Sequence, residues 1–413
     1  MPQEIIGPLL SIGSVLELPI IGYVLLALVL AGVVSFATTP LVKALSVKVG
    51  AIDVPRDDRR MHDHPIPRMG GLAIFLGFMC SVLLLVPLDR PKQGMLLGAV
   101  IIVVLGIFDD IYALPAKLKF VVQIVAACVA VFAGNRIEVL SNPNIFSSDP
   151  YWELGVLSVP VTIIWIVALT NAVNLIDGLD GLACGVSTIS SVTTLIIALL
   201  VSEGDVAVMM GALAGACIGF LPYNLNPAKI FMGDTGATFL GFILGTVSVD
   251  GMFKLPAIIS FVVPFLILGL PIFDVCFAVV RRISKGQSPM SPDRSHIHHR
   301  LIDMGLSQKQ AVGILYVISA ILGLSAVVLT SSGAGRAMIF LVAMAAAGLV
   351  AAKLFLHNNP ASKEDKARQE HREGGPDGAK GETAPAGGPT QTAGTGHEPG
   401  ADTTRGEEER RDG

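Results

Sequence analysis

Apolar stretches such as "YVLLALVLAGVVSFATTPLV" recur along this chain, separated by short polar segments, from near its start to about residue 356. A helix needs about 20 apolar residues to cross a hydrocarbon core, and only helices and closed barrels cross without stranding backbone polar groups. About eleven spans are predicted, centred near Leu28, Leu76, Val103, Val125, Ile164, Leu195, Leu213, Phe242, Phe265, Ile321 and Ala346. With 52% hydrophobic and only 15% charged residues, a soluble globular domain is excluded. The expected fold is an all-α, polytopic integral membrane protein over residues 1–357. The first span follows Glu4 without a basic n-region or cleavage site, so it is expected to be retained. From 358 to 413 the composition shifts to Gly, Pro, Glu, Lys, Arg and Thr, which predicts a disordered polar tail. The cysteines lie in or beside apolar segments without C-x-x-C spacing and read as packing residues.

Orientation follows from the excess of lysine and arginine in short inner loops. With the N-terminus outside, the inner loops hold Lys43, Lys48, Arg56, Arg59, Arg60, Arg68, Lys117, Lys119, Lys229, Arg281, Arg282, Lys285, Arg294, Arg300 and Lys309. The outer loops hold only Arg90, Lys92, Arg136, Lys254 and Arg336. The chemically unusual loops then share the cytoplasmic face.

The third span ends in "GIFDDIYALPAK". Adjacent carboxylates at a helix C-terminus, Asp109 and Asp110, oppose both each other and the macrodipole. Something positive is expected opposite them, with Lys117 nearby or a hard divalent cation as candidates. In "NLIDGLDGLA", Asn174, Asp177 and Asp180 stand three apart and would share a face if helical; a polar helix end with a glycine break is the plainer alternative. In "IFMGDTGAT", Asp234 reads either as an N-cap or as a metal ligand beside a helix N-terminus. The loop "SPDRSHIHHRL" sets His296, His298 and His299 beside Arg294 and Arg300, suited to phosphate oxygens. Asp274 lies inside the ninth span, where it either serves a functional site or pairs with a nearby cation. Pro264 and Pro271 around Gly269 predict that this span is bent or broken. Clustered carboxylates imply Mg²⁺ and clustered cations imply phosphate. At a membrane boundary, the economical chemistry joins a soluble phosphorylated donor to a lipid phosphate.

The ordered set "DDRRMHDHPIPRMGG", "GIFDD", "NAVNLIDGLDGLACG", "NPAKIFMGDTGATFLG" and "SPDRSHIHHRL" resembles the polyprenyl-phosphate N-acetylhexosamine-1-phosphate transferase family over roughly residues 20–350. The resemblance implies an all-helical membrane enzyme that moves a sugar-1-phosphate from a UDP-sugar to undecaprenyl phosphate. It uses Mg²⁺, with Mn²⁺ as a substitute, and releases UMP. The last inner loop looks like the branch using UDP-N-acetylglucosamine, which starts wall teichoic acid, O-antigen and related surface polymers, rather than the branch using the muramoyl-pentapeptide nucleotide. Carried over by motif position, Asp234 resembles the principal Mg²⁺ ligand, with Asp177 beside it, and Phe231 the platform for uracil. Asn174 and Asp180 look like nucleotide-site residues; Asn224, Lys229 and Lys117 are placed with substrate binding. Asp109, with Asp110, would handle the lipid phosphate, while His298, His299, His296 and Arg294 would contact the diphosphate or sugar. The partners implied are the UDP-sugar, undecaprenyl phosphate and the bilayer, without nucleic acid and with room for a homodimer. The rival of another class is a secondary transporter of an anionic metabolite. A CDP-alcohol phosphotransferase is disfavoured because "DGLDGLA" continues with Cys184.

Overall fold

The computed structural model describes residues 19–54, 64–141, 151–251, 257–284 and 296–332, with isolated positions at 286, 335–336, 338–340 and 342. The helices are α1 (Ile20–Val49), α2 (Gly71–Leu85), α3 (Arg90–Tyr112), α4 (Ala116–Ala133), α5 (Ser158–Ile176), α6 (Leu182–Leu200), α7 (Gly204–Asn224) and α8 (Gly233–Gly251). They continue with α9 (Ala257–Ile267), α10 (Gly269–Ser284), α11 (Ile297–Asp303) and α12 (Gln308–Ser332). Two short antiparallel pairs interrupt them, β1 (Ile52–Asp53) with β2 (Ile66–Pro67) and β3 (Val139–Ser141) with β4 (Tyr151–Glu153). Every predicted span centre from Leu28 to Ile321 falls on a helix; Ala346 and the tail lie outside the described residues. Among the described residues, 7 helices are long and apolar enough to cross a membrane: α1, α3, α4, α5 with the turn before it, α6, α7 and α12. The ninth predicted span breaks after Ile267, where Pro264 and Gly269 flank the interruption between α9 and α10.

Burial is arranged as a lipid solvent demands. Along α1, the buried positions are Val24, Ala27, Ala31, Ser35, Thr39, Val42 and Ser46, mostly small, while Leu25, Val29, Val33 and Phe36 face outward. Large apolar groups gain nothing by leaving lipid, so close backbone packing drives association instead. The centre of the bundle is α7, most of whose residues are buried, whereas most of those of α1 are not. Gly211, Gly215 and Gly219 of α7 repeat at four-residue spacing and meet the carbonyl oxygens of Val24, Leu28 and Gly32 of α1. Ser81 of α2 donates to the Ala27 carbonyl, 3.1 Å, adding a polar tie to the same helix. At the N-terminal ends of α3 and α7, buried Lys92 bridges Asp89 and Asp205, each at 2.7 Å.

Because consecutive helices run up and down, the C-terminal ends of α1, α3, α5 and α7 gather with the N-terminal ends of α2, α4, α6 and α8. The motif residues therefore collect at one end, about 25 Å along α3 from Lys92 at 1.5 Å rise per residue.

Gly215→Val should separate α1 from α7, because a β-carbon at 215 collides with the Leu28 carbonyl. Overpacking of this kind costs about 1–3 kcal/mol. The thermal unfolding midpoint in detergent should drop clearly, whereas Gly313→Val, with open space around its β-carbon position, should leave it nearly unchanged.

Candidate active site

The site begins with a backbone splice. Phe231 N–H donates to the Pro67 carbonyl at 2.8 Å, and Gly70 and Gly71 N–H donate to the carbonyls of Phe231 and Met232 at 2.9 and 2.8 Å. The segments "PIPRMGG" and "IFMGD" are thereby held side by side, which brings Arg68 and Asp234 to the end of α3. Here Asp109 and Asp110 have separate surroundings. Asp110, 1% exposed in its side chain, accepts the N–H groups of Asp234 and Thr235 at 3.0 and 3.1 Å and the Thr235 hydroxyl at 2.6 Å. It thus caps α8 from another helix, where the macrodipole favours a negative charge. Gly233, at φ 71°, leaves room for that carboxylate. Arg68 adds Nε at 3.6 Å to Asp110 and donates to the carbonyls of Asp110 and Asp109.

Asp109 accepts the Leu114 N–H at 2.7 Å and the Lys119 ammonium at 2.8 Å. The same ammonium reaches Asp234 at 3.0 Å. The lysine opposite Asp109 is therefore Lys119, in the first turn of α4, rather than Lys117, whose side chain is exposed, and the cation at Asp110 is Arg68. Pro115 starts α4, and the helical phase it sets turns 119 inward and 117 outward.

Arg68, Asp110, Lys119 and Asp234, but not Asp109, open on a cavity of about 370 Å³ that Asn174 and Asp177 also line, with Asp53, Gly178, Leu179, Asp180, Asn224, Phe231 and Gly233 completing it. Asn174, Asp177 and Asp180 do not share a helical face: α5 ends at Ile176, and Asp177–Gly181 forms a turn. Asp180 also accepts from Asn226 Nδ2 and Ala228 N–H, at 2.9 and 3.0 Å, and so holds the loop after α7. Asn226 reaches Gln308 at the start of α12, 2.7 Å, and the Tyr316 hydroxyl donates to the Gly181 carbonyl at 2.6 Å. Helix α12 thus braces the acidic turn. Asn224 donates to the Ile230 carbonyl at 3.1 Å, and its buried Oδ1 has no hydrogen-bond partner among the described residues. Lys229 is exposed, off the cavity, 6.0 Å over the Tyr223 ring.

The histidines enter through α10. Asp274 accepts His296 Nδ1 and Ile297 N–H, both at 2.8 Å, so the acid inside the ninth span anchors the N-terminus of α11. His298 is buried against Gly178, where a β-carbon would collide with Nε2. Burial pushes its imidazole down to about 4, aided by His299, so it offers hydrogen bonds rather than charge at neutral pH. His299 packs on His298 at 4.3 Å between ring centroids, and Arg294 lies outside the described residues. Asp53, which sequence reasoning missed, sits just before the first inner loop, with only its acidity as a signal.

Among the described residues no three His, Cys, Asp or Glu side chains form a ready cation cage. The donor chemistry nevertheless fits a hard divalent cation: Asp177 and Asp234 supply carboxylate oxygens, and Asn224 Oδ1 is an unpartnered amide oxygen among the described residues. Burial, followed by the charges of Asp234, Asp110 and Asp180, pushes Asp177 up to about 8, the sign of a cavity with surplus negative charge.

Comparison with known proteins agrees with this picture. The profile of glycosyl transferase family 4 matches residues 93–252. The chain is 45% identical over 315 residues to the "Probable undecaprenyl-phosphate N-acetylglucosaminyl 1-phosphate transferase" of Bacillus subtilis, covering 75% of this chain and 86% of that one. It is 36% identical to the decaprenyl-phosphate N-acetylglucosaminephosphotransferase of Mycolicibacterium smegmatis, over 72% of this chain and 79% of the relative. It is 30% identical to the undecaprenyl-phosphate alpha-N-acetylglucosaminyl 1-phosphate transferase of Escherichia coli K12, over 68% and 77%.

In the metal-free protein Asp177 stays protonated to about pH 8 when folded but ionises near its ordinary 3.8 when unfolded. The folded state therefore binds the extra proton across that window, and stability should fall as pH rises through it. Asp177→Asn should flatten the decline in thermal midpoint between pH 5 and 8, and a divalent cation added to the wild type should do the same.

Proposed function

The chain belongs to glycosyl transferase family 4, the polyprenyl-phosphate sugar-1-phosphate transferases, and on that premise we propose that it transfers N-acetylglucosamine-1-phosphate from UDP-N-acetylglucosamine to undecaprenyl phosphate. The products are undecaprenyl-diphospho-N-acetylglucosamine and UMP. The observation that carries this reading is one cavity in which carboxylates from three motifs face the cations Lys119 and Arg68. The donor assignment draws on the names of the relatives above.

The lipid phosphate is already ionised, so the reaction needs alignment and charge neutralisation more than a strong base. An oxygen of the lipid phosphate attacks the β-phosphorus of the donor. A new P–O bond forms as the bond from that phosphorus to the bridging oxygen breaks, and UMP leaves with the electron pair. Asp234 and Asp177 would hold Mg²⁺, which when bound neutralises the diphosphate. Asp110 keeps the N-terminus of α8, and so Asp234, in position through its hydrogen bonds. Phe231 offers a ring face to the uracil. Asp109 stands on the acceptor side, and His298 and His299 meet the diphosphate or sugar. We further assign about eleven spans with the N-terminus outside, so that the cavity opens to the cytoplasm and its UDP-sugar pool.

Purified protein given radiolabelled UDP-N-acetylglucosamine, undecaprenyl phosphate and Mg²⁺ should yield extractable lipid-linked label. Turnover of the muramoyl-pentapeptide nucleotide alone would move the chain to the other donor branch. Asp234→Asn should abolish turnover and weaken Mg²⁺-dependent nucleotide binding. Asp109→Asn should lower kcat with donor binding nearly intact, and near-wild-type turnover in that variant would reassign its role.

Orientation is open to a separate check. In a cysteine-free background, a single cysteine at Asn142 should react with an impermeant thiol reagent in intact cells. One at Lys229 should react only after the inner face is opened, and the reverse pattern would invert the topology.

A further inference from the structure

We propose that the Lys119 ammonium is a place-holder for the divalent cation, exchanged on loading and handed to the donor diphosphate. Its Nζ spans Asp109 and Asp234 at 2.8 and 3.0 Å, bridging the two carboxylates. Neither segment depends on it for position. Asp109 is held by the Leu114 N–H, and the backbone at Asp234 is held by Asp110. Withdrawal of the ammonium therefore leaves Asp109 and the start of α8 in place, with the Asp234 side chain 31% exposed.

One positive charge between two negatives is incomplete compensation, and a hard divalent cation held by Asp234 and Asp177 would put twice the charge beside Asp234. Asn224 Oδ1, 2% exposed on the wall of the same cavity and without a hydrogen-bond partner among the described residues, points to a ligand independently of the acids. Lys119 itself lines the cavity and is 28% exposed in its side chain, so it can swing inward without unpacking α4. Metal and nucleotide binding become coupled: the ion releases the ammonium, and the diphosphate gives it a new anionic partner. This exchange presupposes the transferase reading, which formation of lipid-linked product by the wild type tests on its own.

The test uses the full chain in detergent. Lys119 reactivity toward an amine-specific reagent, read by peptide mass spectrometry, should rise several-fold on adding Mg²⁺ alone and fall again when UDP-N-acetylglucosamine is added. Mn²⁺ binding without nucleotide, read by electron paramagnetic resonance, should tighten by roughly tenfold in Lys119→Gln, the scale of removing one adjacent like charge. The variant should also lose the enhancement of Mn²⁺ affinity by nucleotide. Labelling of wild-type Lys119 that ignores Mg²⁺, or Mn²⁺ affinity unchanged or weaker in a Lys119→Gln protein of normal thermal midpoint, overturns the proposal. The labelling arm needs no variant and stands whether or not Lys119→Gln folds.

Discussion

Two carboxylates at the end of one helix are almost wholly removed from solvent, and the cavity is organised around keeping them there. A buried charge without a partner is strongly destabilising, and two side by side compound the cost. The fold resolves this by giving each acid a different partner. Asp110 lies at the amide end of α8, and Asp109 shares an ammonium with Asp234. Both arrangements draw distant parts of the chain to the same point, since Asp234 is 124 residues from Asp110 and Lys119 is 115 residues from Asp234.

Such convergence requires the helices to approach closely, and within lipid that is achieved by small residues rather than by hiding large ones. The glycines of α7 set against α1, and the close approach of Gly71 to Gly236 where α2 meets α8, bring the helix ends near enough for side chains as short as aspartate to span the gap. Electrostatics at the end of the bundle and close packing in its middle are thus one design: a bulkier residue in the stripe would act on the site by moving its walls.

Much of this was legible in the amino-acid order, and the limits have physical causes. Apolar runs located the helices because lipid enforces length and composition, and Pro264 with Gly269 marked the break in the ninth span. The acids at "FDD", "NLIDGLDG" and "MGDTG" stood out because charge at a span's end is costly. What failed was anything dependent on helical phase or long-range pairing. Lys117 and Lys119 look alike in sequence, and only the starting point of α4 decides which faces inward. The even spacing of Asn174, Asp177 and Asp180 suggested a helical face, but Gly178 and Gly181 end the helix instead. The open alternative for Asp274 resolved into a pair with His296, 22 residues away, which no local pattern encodes. Arg68 read as one more positive-inside residue until the splice to Phe231 put it against Asp110.

The brace from α12 carries a consequence for how the protein is made. Tyr316 fixes the turn at Gly181 from 135 residues further along the chain. At about 5–20 residues per second of synthesis, that turn is exposed to the ribosome's side for roughly 7–27 seconds before its brace exists. By the end of that interval the nascent chain has most of its spans and the acids of the cavity, but no fixed floor beneath them. Completion of the cavity end is therefore one of the last events of biogenesis, and a truncated chain lacking α12 would keep its membrane spans while losing the brace on its acidic turn.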